Sequence, residues 1–224
     1  MSTLLAPIFE GSAAAIMVNG FMQMQALPID AVMRNQYGGH SQYLTLQGLA
    51  VSVLCMSVGL LSGILPGISV LKSTKRLLMI IAMPVSVVVS IIYWSLLILF
   101  PALILSADLS EGTTPTSAAP NEAFRLPLSI DLALHAAPAV FLIFDFFVFE
   151  KKYNKREANV IAPVAAALFG LWYCSWVEHC GKHNNGIFPY PFLTESNFPG
   201  RVGIYTTTVL MSLGAFRLIN RLHK

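Results

Sequence analysis

The chain has 224 residues, 55% of them hydrophobic and only 11% charged, against roughly 25% charged in ordinary soluble domains. That composition excludes a water-soluble globule and points to the bilayer. The formal net charge of +3 is small and dispersed, and no basic run interleaves with aromatics, so nucleic acid is excluded as a partner.

In chain order, the first apolar run is Leu4–Leu27. It carries Pro7, Glu10, Asn19 and Gln23, which gives it an amphipathic look. No Lys or Arg precedes Arg34, so the basic region of a signal peptide is missing and the run reads as a span. Five clearer runs follow: Tyr43–Leu65, Leu77–Leu105, Pro127–Phe149, Val160–Cys180 and Val202–Ile219. Each has about the 20 residues that cross the hydrocarbon core. Pro84 and Pro101 are expected to kink or end the long third run.

Breakers separate the runs at Pro66-Gly67, Thr113–Ser117, Asn184-Asn185-Gly186 and Phe198-Pro199-Gly200. No internal repeat supports a repeat-built transporter. Cys55, Cys174 and Cys180 give no disulfide framework. The expected fold is all-α: a polytopic bundle of six transmembrane helices forming a single domain over residues 1–224.

Basic residues set the expected orientation. Lys72, Lys75 and Arg76 follow the second span, Lys151, Lys152, Lys155 and Arg156 follow the fourth, and Arg217, Arg221 and Lys224 end the chain. Only Arg34, Arg125, Lys182 and Arg201 fall on the other side. The asymmetry predicts that both termini are cytoplasmic.

Within the fourth span, His135 stands where an ionisable side chain is expensive, which makes it a functional-site hypothesis. In the predicted topology Thr45 lies about one turn into span two and His135 about two turns into span four, both in the outer half. Thr45, Gly48, Ser52, Cys55, Gly59 and Ser62 form a stripe of small residues, as helix contacts or cavity walls require. Asp131 is one turn from His135 and could fix its tautomer. Pro138 frees a backbone carbonyl nearby.

A threonine hydroxyl becomes a nucleophile once an adjacent base accepts its proton, so this pair permits acyl transfer. The bland alternative is that Thr45 caps or back-bonds to its own helix. Ser52, Asn184, Tyr190 and amides of the Asn184–Tyr190 loop are candidate oxyanion donors. Trp94, Trp176 and His179 are candidates to line the pocket, with Trp172 a further aromatic near the outer end of span five.

Three segments occur in order: Tyr37-Gly38-Gly39 with Tyr43-Leu44-Thr45, then Leu134-His135 with Pro138 beyond, then Trp176-Val177 with His179 and Tyr190-Pro191-Phe192-Leu193. Together they resemble the androgen-induced family of multipass membrane threonine hydrolases. The resemblance implies hydrolysis of fatty acid esters of hydroxy fatty acids, with Thr45 as nucleophile and His135 as its catalytic partner. It also implies six spans with cytoplasmic termini and no cofactor. The chain departs from the family in a longer acidic, Thr/Ser-rich segment, Asp108–Asn121, and in extra polar residues over Glu178–Asn185. Substrate preference is therefore the least transferable expectation.

Two other classes compete. Glu178, His179, Cys180 and His183, with His40 on the same side, could make a metal-dependent membrane hydrolase. Glu10 and Asp145, acidic residues within spans, could serve a non-enzymatic carrier or channel, or simply pair with a nearby Lys or Arg. The hydrolase reading expects a lipid substrate entering from the bilayer, in the endoplasmic reticulum or plasma membrane. Acyl preference and oligomeric state stay open.

Overall fold

The computed structural model describes residues 2–104 and 125–224. The segment Asp108–Asn121 and the Thr113–Ser117 breaker lie outside the described residues, as does the last residue of the run ending at Leu105. All regular structure among the described residues is helical. Among the described residues nine α-helices occur in chain order: α1 Ser2–Met24, α2 Pro28–Asn35, α3 Leu44–Ile64, α4 Ser69–Leu99, α5 Leu128–His135, α6 Ala137–Val148, α7 Ala162–His183, α8 Pro191–Thr194 and α9 Phe198–Leu222. Among the described residues five helices are long and apolar enough to cross a membrane, and the bent pair α5–α6 makes a sixth pass if taken as one span. Helices suit this setting because they satisfy every backbone group internally.

The boundaries shift from the sequence reading for identifiable reasons. Helix α4 starts at Ser69, because nothing in Ser69–Arg76 breaks a helix and its basic residues find partners. Pro84 lies inside α4 without ending it, and α4 stops at Leu99, just before Pro101. The fourth span is broken at Ala136 with a 45° bend. Pro138, one residue into α6, cannot donate to the Leu134 carbonyl, which explains the break. A wide π turn, Glu157–Ile161, leads into α7, and α7 runs on to His183. It ends where Asn185 (φ 55°) and Gly186 (φ 84°) turn left-handed. Asn197 caps α9, its side chain accepting from the Gly200 amide at 2.9 Å. The short helix α2 has no counterpart in the sequence reading. Its eight residues are too few to register as an apolar run.

Helices α3 and α4 pack along each other, with α1 against α3, α5 and α6, and α7 and α9 against the far side of α4. Half of the α4 membrane window is buried against 22% for α7 and α9, so α4 is the central post. Gly48, Ser52, Cys55 and Gly59 of the small-residue stripe are all buried. Gly59 illustrates why: a Cβ there would collide with the Glu10 carboxylate of α1. Met17, Met24, Met56, Met79 and Met83 are fully buried among Leu142, Phe146 and Phe216. Flexible thioethers fill the irregular gaps between these helices.

One end of the bundle, where α4 begins and α9 finishes, is locked by charge. Lys75, 3% exposed, places its Nζ 2.5 Å from Glu10, 2.8 Å from Asp145 and 2.8 Å from Glu150. Next to it Arg76 pairs with Glu157 at 2.6 Å and covers the Tyr153 ring at 4.1 Å. Asn220 accepts from the Tyr153 amide, and Tyr153 donates to the Arg76 carbonyl. Burial pushes the Tyr153 phenol well above its ordinary value, so it stays a donor. By hydropathy Lys75 and Arg76 fall between the second and third apolar runs. They are helix residues that tie α1, α4, α6 and the π turn before α7 together.

Candidate functional site

Thr45 is the second residue of α3. The residue before the helix, Tyr43, supplies no side-chain cap, so the first-turn amides must find partners elsewhere. The Thr45 amide donates to the Tyr190 hydroxyl at 3.3 Å, and the Thr45 and Tyr190 hydroxyls share a 3.4 Å hydrogen bond. Thr45 thus neither caps nor back-bonds to its own helix. Burial pushes the Tyr190 phenol above its ordinary value, so it remains protonated. The site at Thr45 combines a hydroxyl, a helix N-terminus and a phenol.

His135 ends α5, 7% exposed. Its Nδ1 lies 2.8 Å from Asp131 Oδ1 and 3.2 Å from the Asp131 carbonyl. A carboxylate oxygen can only accept, so in the neutral ring the proton sits on Nδ1 and Nε2 keeps its lone pair. No hydrogen bond engages Nε2 among the described residues. The ring stacks on Tyr93 of α4 with centroids 3.4 Å apart and planes 2° apart. Asp131 and Tyr93 therefore fix the imidazole on two sides.

Two cavities meet at these residues. The smaller, about 120 Å³, is lined by both Thr45 and His135, together with Met33, Leu134, Tyr93 and Tyr190. The larger, about 380 Å³, runs between α3, α4, α7 and α9 and is almost wholly aliphatic and aromatic. Thr45, Tyr93, Ile104 and Tyr190 line both, whereas His135 lines only the smaller.

Other residues singled out from sequence sit elsewhere. Ser52 is fully buried, donating to the Gly48 carbonyl at 2.7 Å and sharing a 2.9 Å bond with Ser86. It lines neither cavity, so it is no oxyanion donor but a clasp between α3 and α4. Asn184 accepts from the Tyr37 amide and donates to the Tyr37 carbonyl, which pins the loop before α3 to the end of α7. Trp94 touches Tyr93 edge-on but lines neither cavity. Its neighbour Tyr93 does, because consecutive helix residues project to different faces.

Trp176 donates to Ser41 and stacks with Trp172 and His179. His183 stacks on Tyr37 in turn, and His179 meets it edge-on. This aromatic ladder belongs to the α7 surface and lines neither cavity.

The proposed metal cluster is also dispersed. Cys180 is fully buried against Gly38, whose φ of 88° and lack of a side chain allow the approach. Glu178 accepts a two-point ion pair from Arg201 and a bond from Tyr205. His40 is held by Asp30 at 2.7 Å. Among the described residues no group of three His, Cys, Asp or Glu side chains could hold a metal ion. Glu10 and Asp145, the carrier features, are both paired with Lys75.

Tyr93 and the Thr45 amide were missed from sequence. The amide was foreseeable: a threonine one residue inside a helix has an amide without an intrahelical partner. The Tyr93 stacking depends on how α4 and α5 are rotated, which spacing along one helix does not encode.

Comparison with known proteins places these residues in context. The model of the FAR-17a/AIG1-like protein family matches residues 6–224. A UPF0641 membrane protein of Schizosaccharomyces pombe is 28% identical over 194 residues, covering 87% of this chain and 79% of the relative. Another UPF0641 membrane protein, from Saccharomyces cerevisiae, is 24% identical over 169 residues, covering 69% and 65%. No solved structure matches. With a family match over nearly its whole length and apolar helices to fit, this integral, multipass membrane protein belongs to the FAR-17a/AIG1-like family.

Proposed function

We propose that the protein is an intramembrane lipid ester hydrolase, acting on fatty acid esters of hydroxy fatty acids, with Thr45 as nucleophile and His135 as base and then acid. The observation that carries this reading is that Thr45 and His135, from separate helices, line one cavity that adjoins a long apolar one.

His135 Nε2 accepts the Thr45 hydroxyl proton as Oγ1 bonds to the ester carbonyl carbon. The carbon–oxygen bond to the alcohol then breaks, and the imidazolium returns its proton to the leaving oxygen. Water, activated by the same nitrogen, releases the acyl group from Thr45. Asp131 holds the ring and stabilises its charged form. The Thr45 amide and the Tyr190 hydroxyl, at the positive end of α3, face the developing oxyanion. The chemistry needs no cofactor.

The substrate enters sideways from the bilayer, past α7 and α9, the least buried walls of the apolar cavity. Both termini, with the Lys75 end, face the cytoplasm, in the endoplasmic reticulum or plasma membrane.

The test is a phosphonate probe directed at ester hydrolases. The expected result is a covalent adduct on Thr45, mapped by mass spectrometry, that disappears in Thr45→Ala. Labelling confined to another residue would overturn the assignment.

A further inference from the structure

Building on that hydrolase reading, we infer that the two cavities divide the ester: the acyl chain occupies the larger, the alcohol half the smaller, and Ala166 with Ser212 measures acyl length. The leaving oxygen must take its proton from His135, which lines only the smaller cavity. The alcohol half therefore lies on that side. The acyl chain leaves the carbonyl carbon in the other direction, and Thr45 also opens into the larger cavity. Volume sets the form of the division: about 380 Å³ takes an acyl chain, while about 120 Å³ seats only the part of the alcohol half nearest the ester oxygen, the rest of the hydroxy fatty acid extending beyond the cavity.

The larger cavity has a definable floor. Tyr173 and Tyr205, with ring centroids 6.3 Å apart, mark one level of α7 and α9. Gly170 meets Val209 about one turn farther on. Ala166 of α7 and Ser212 of α9 lie about a turn beyond that, and Ile80 of α4 lines the same cavity. From Tyr93, level with the imidazole, to Ile80 is roughly 20 Å of helix at 1.5 Å per residue. Ser212 is buried, and its hydroxyl makes no hydrogen bond among the described residues. A larger apolar side chain in its place shortens the cavity without orphaning a partner.

The full-length protein in lipid nanodiscs, given one series of esters varying in acyl length and another varying in the alcohol, tests this. In Ser212→Leu and in Ala166→Phe, the ratio of long-chain to medium-chain acyl turnover falls about tenfold or more, the scale on which apolar pockets discriminate. The alcohol profile stays as in wild type. A shifted alcohol profile with an unchanged acyl profile overturns the division.

A second arm reads position without turnover. Thr45→Ala is loaded with an ester carrying a photoreactive group at the acyl tip. Crosslinks at Ile80, Ala166 or Ser212 support the division, and crosslinks at Ile29, Met33 or Leu134 overturn it. Should wild type cleave no ester, hydrolysis fails, while the crosslink position still decides which cavity takes the acyl chain.

Discussion

At the Lys75 end of the bundle, one ammonium meets Glu10, Asp145 and Glu150, and Arg76 meets Glu157. At the Thr45 end, a hydroxyl, a phenol and an imidazole stand around cavities, and His135 Nε2 has no partner among the described residues. The first set binds α1, α4, α6 and the π turn before α7 to one another. The second keeps hydrogen-bonding capacity in reserve toward empty space. A buried polar group whose partners are all protein is a fastener, and one that faces a cavity with capacity to spare is a reagent. The two ends separate stability from chemistry, and substitutions at each should fail in different assays.

The sharpest break is Thr45→Ala. Removing a nucleophile that acts as part of a unit costs about ten-thousandfold or more in kcat. Thermal stability should stay close to wild type, because the lost hydroxyl makes one long bond to Tyr190 at 3.4 Å. Ester turnover and a melting curve on the same preparation check both halves. An active Thr45→Ala protein would end the proposal that this end is chemical.

Lys75→Met is the reciprocal experiment. It leaves Glu10 and Asp145 without their cation and Glu150 with only Arg76 at 3.8 Å, and breaking a buried ion pair from one side costs about 3–5 kcal/mol. The melting temperature should drop steeply while turnover per folded molecule is retained. A protein that melts like wild type but loses turnover would place chemistry at the wrong end.

The same contrast explains what could be read from the chain. The five spanning helices and the bent α5–α6 pair were legible because apolar runs of bilayer length are a one-dimensional signal, and the all-α class follows from them. Ends were less legible. Ser69–Arg76 looks like a loop by charge, yet it is helical because Lys75 is neutralised by residues far away in sequence. At the site, His135 stood out by the cost of burying it, and Asp131 by its spacing on the same helix. By residue type Ser52 and Trp94 are candidates, but Ser52, on the Thr45 face, lies about two turns deeper and is bonded to Ser86, and Trp94 falls on the wrong face. Which face of α3 meets which face of α4 depends on interhelical packing, and no periodicity within one helix encodes that.

Tyr190→Phe sharpens the comparison within the Thr45 end. It removes one oxyanion donor but leaves the Thr45 amide in place. The expected loss is about tenfold to a hundredfold in kcat, near the lower edge of what one donor contributes. KM should hardly move, because the bond tightens only as charge develops. An equal fall in affinity would assign Tyr190 to substrate binding instead.

The smallest effect is expected for Ser52→Ala. Ser52 lies on the same small-residue stripe as Thr45, and type alone makes it an oxyanion donor. Its hydroxyl is already shared between the Gly48 carbonyl and Ser86. Losing it leaves Ser86 short of a partner, which costs about 0.5–1.5 kcal/mol for a typical intramolecular bond. Turnover should stay within about twofold of wild type, since a change of that size lies below any removed catalytic donor. A hundredfold fall in kcat with an unchanged melting curve would mean that α3 rotates during the reaction. The division between fastener and reagent would then be a property of the resting state alone.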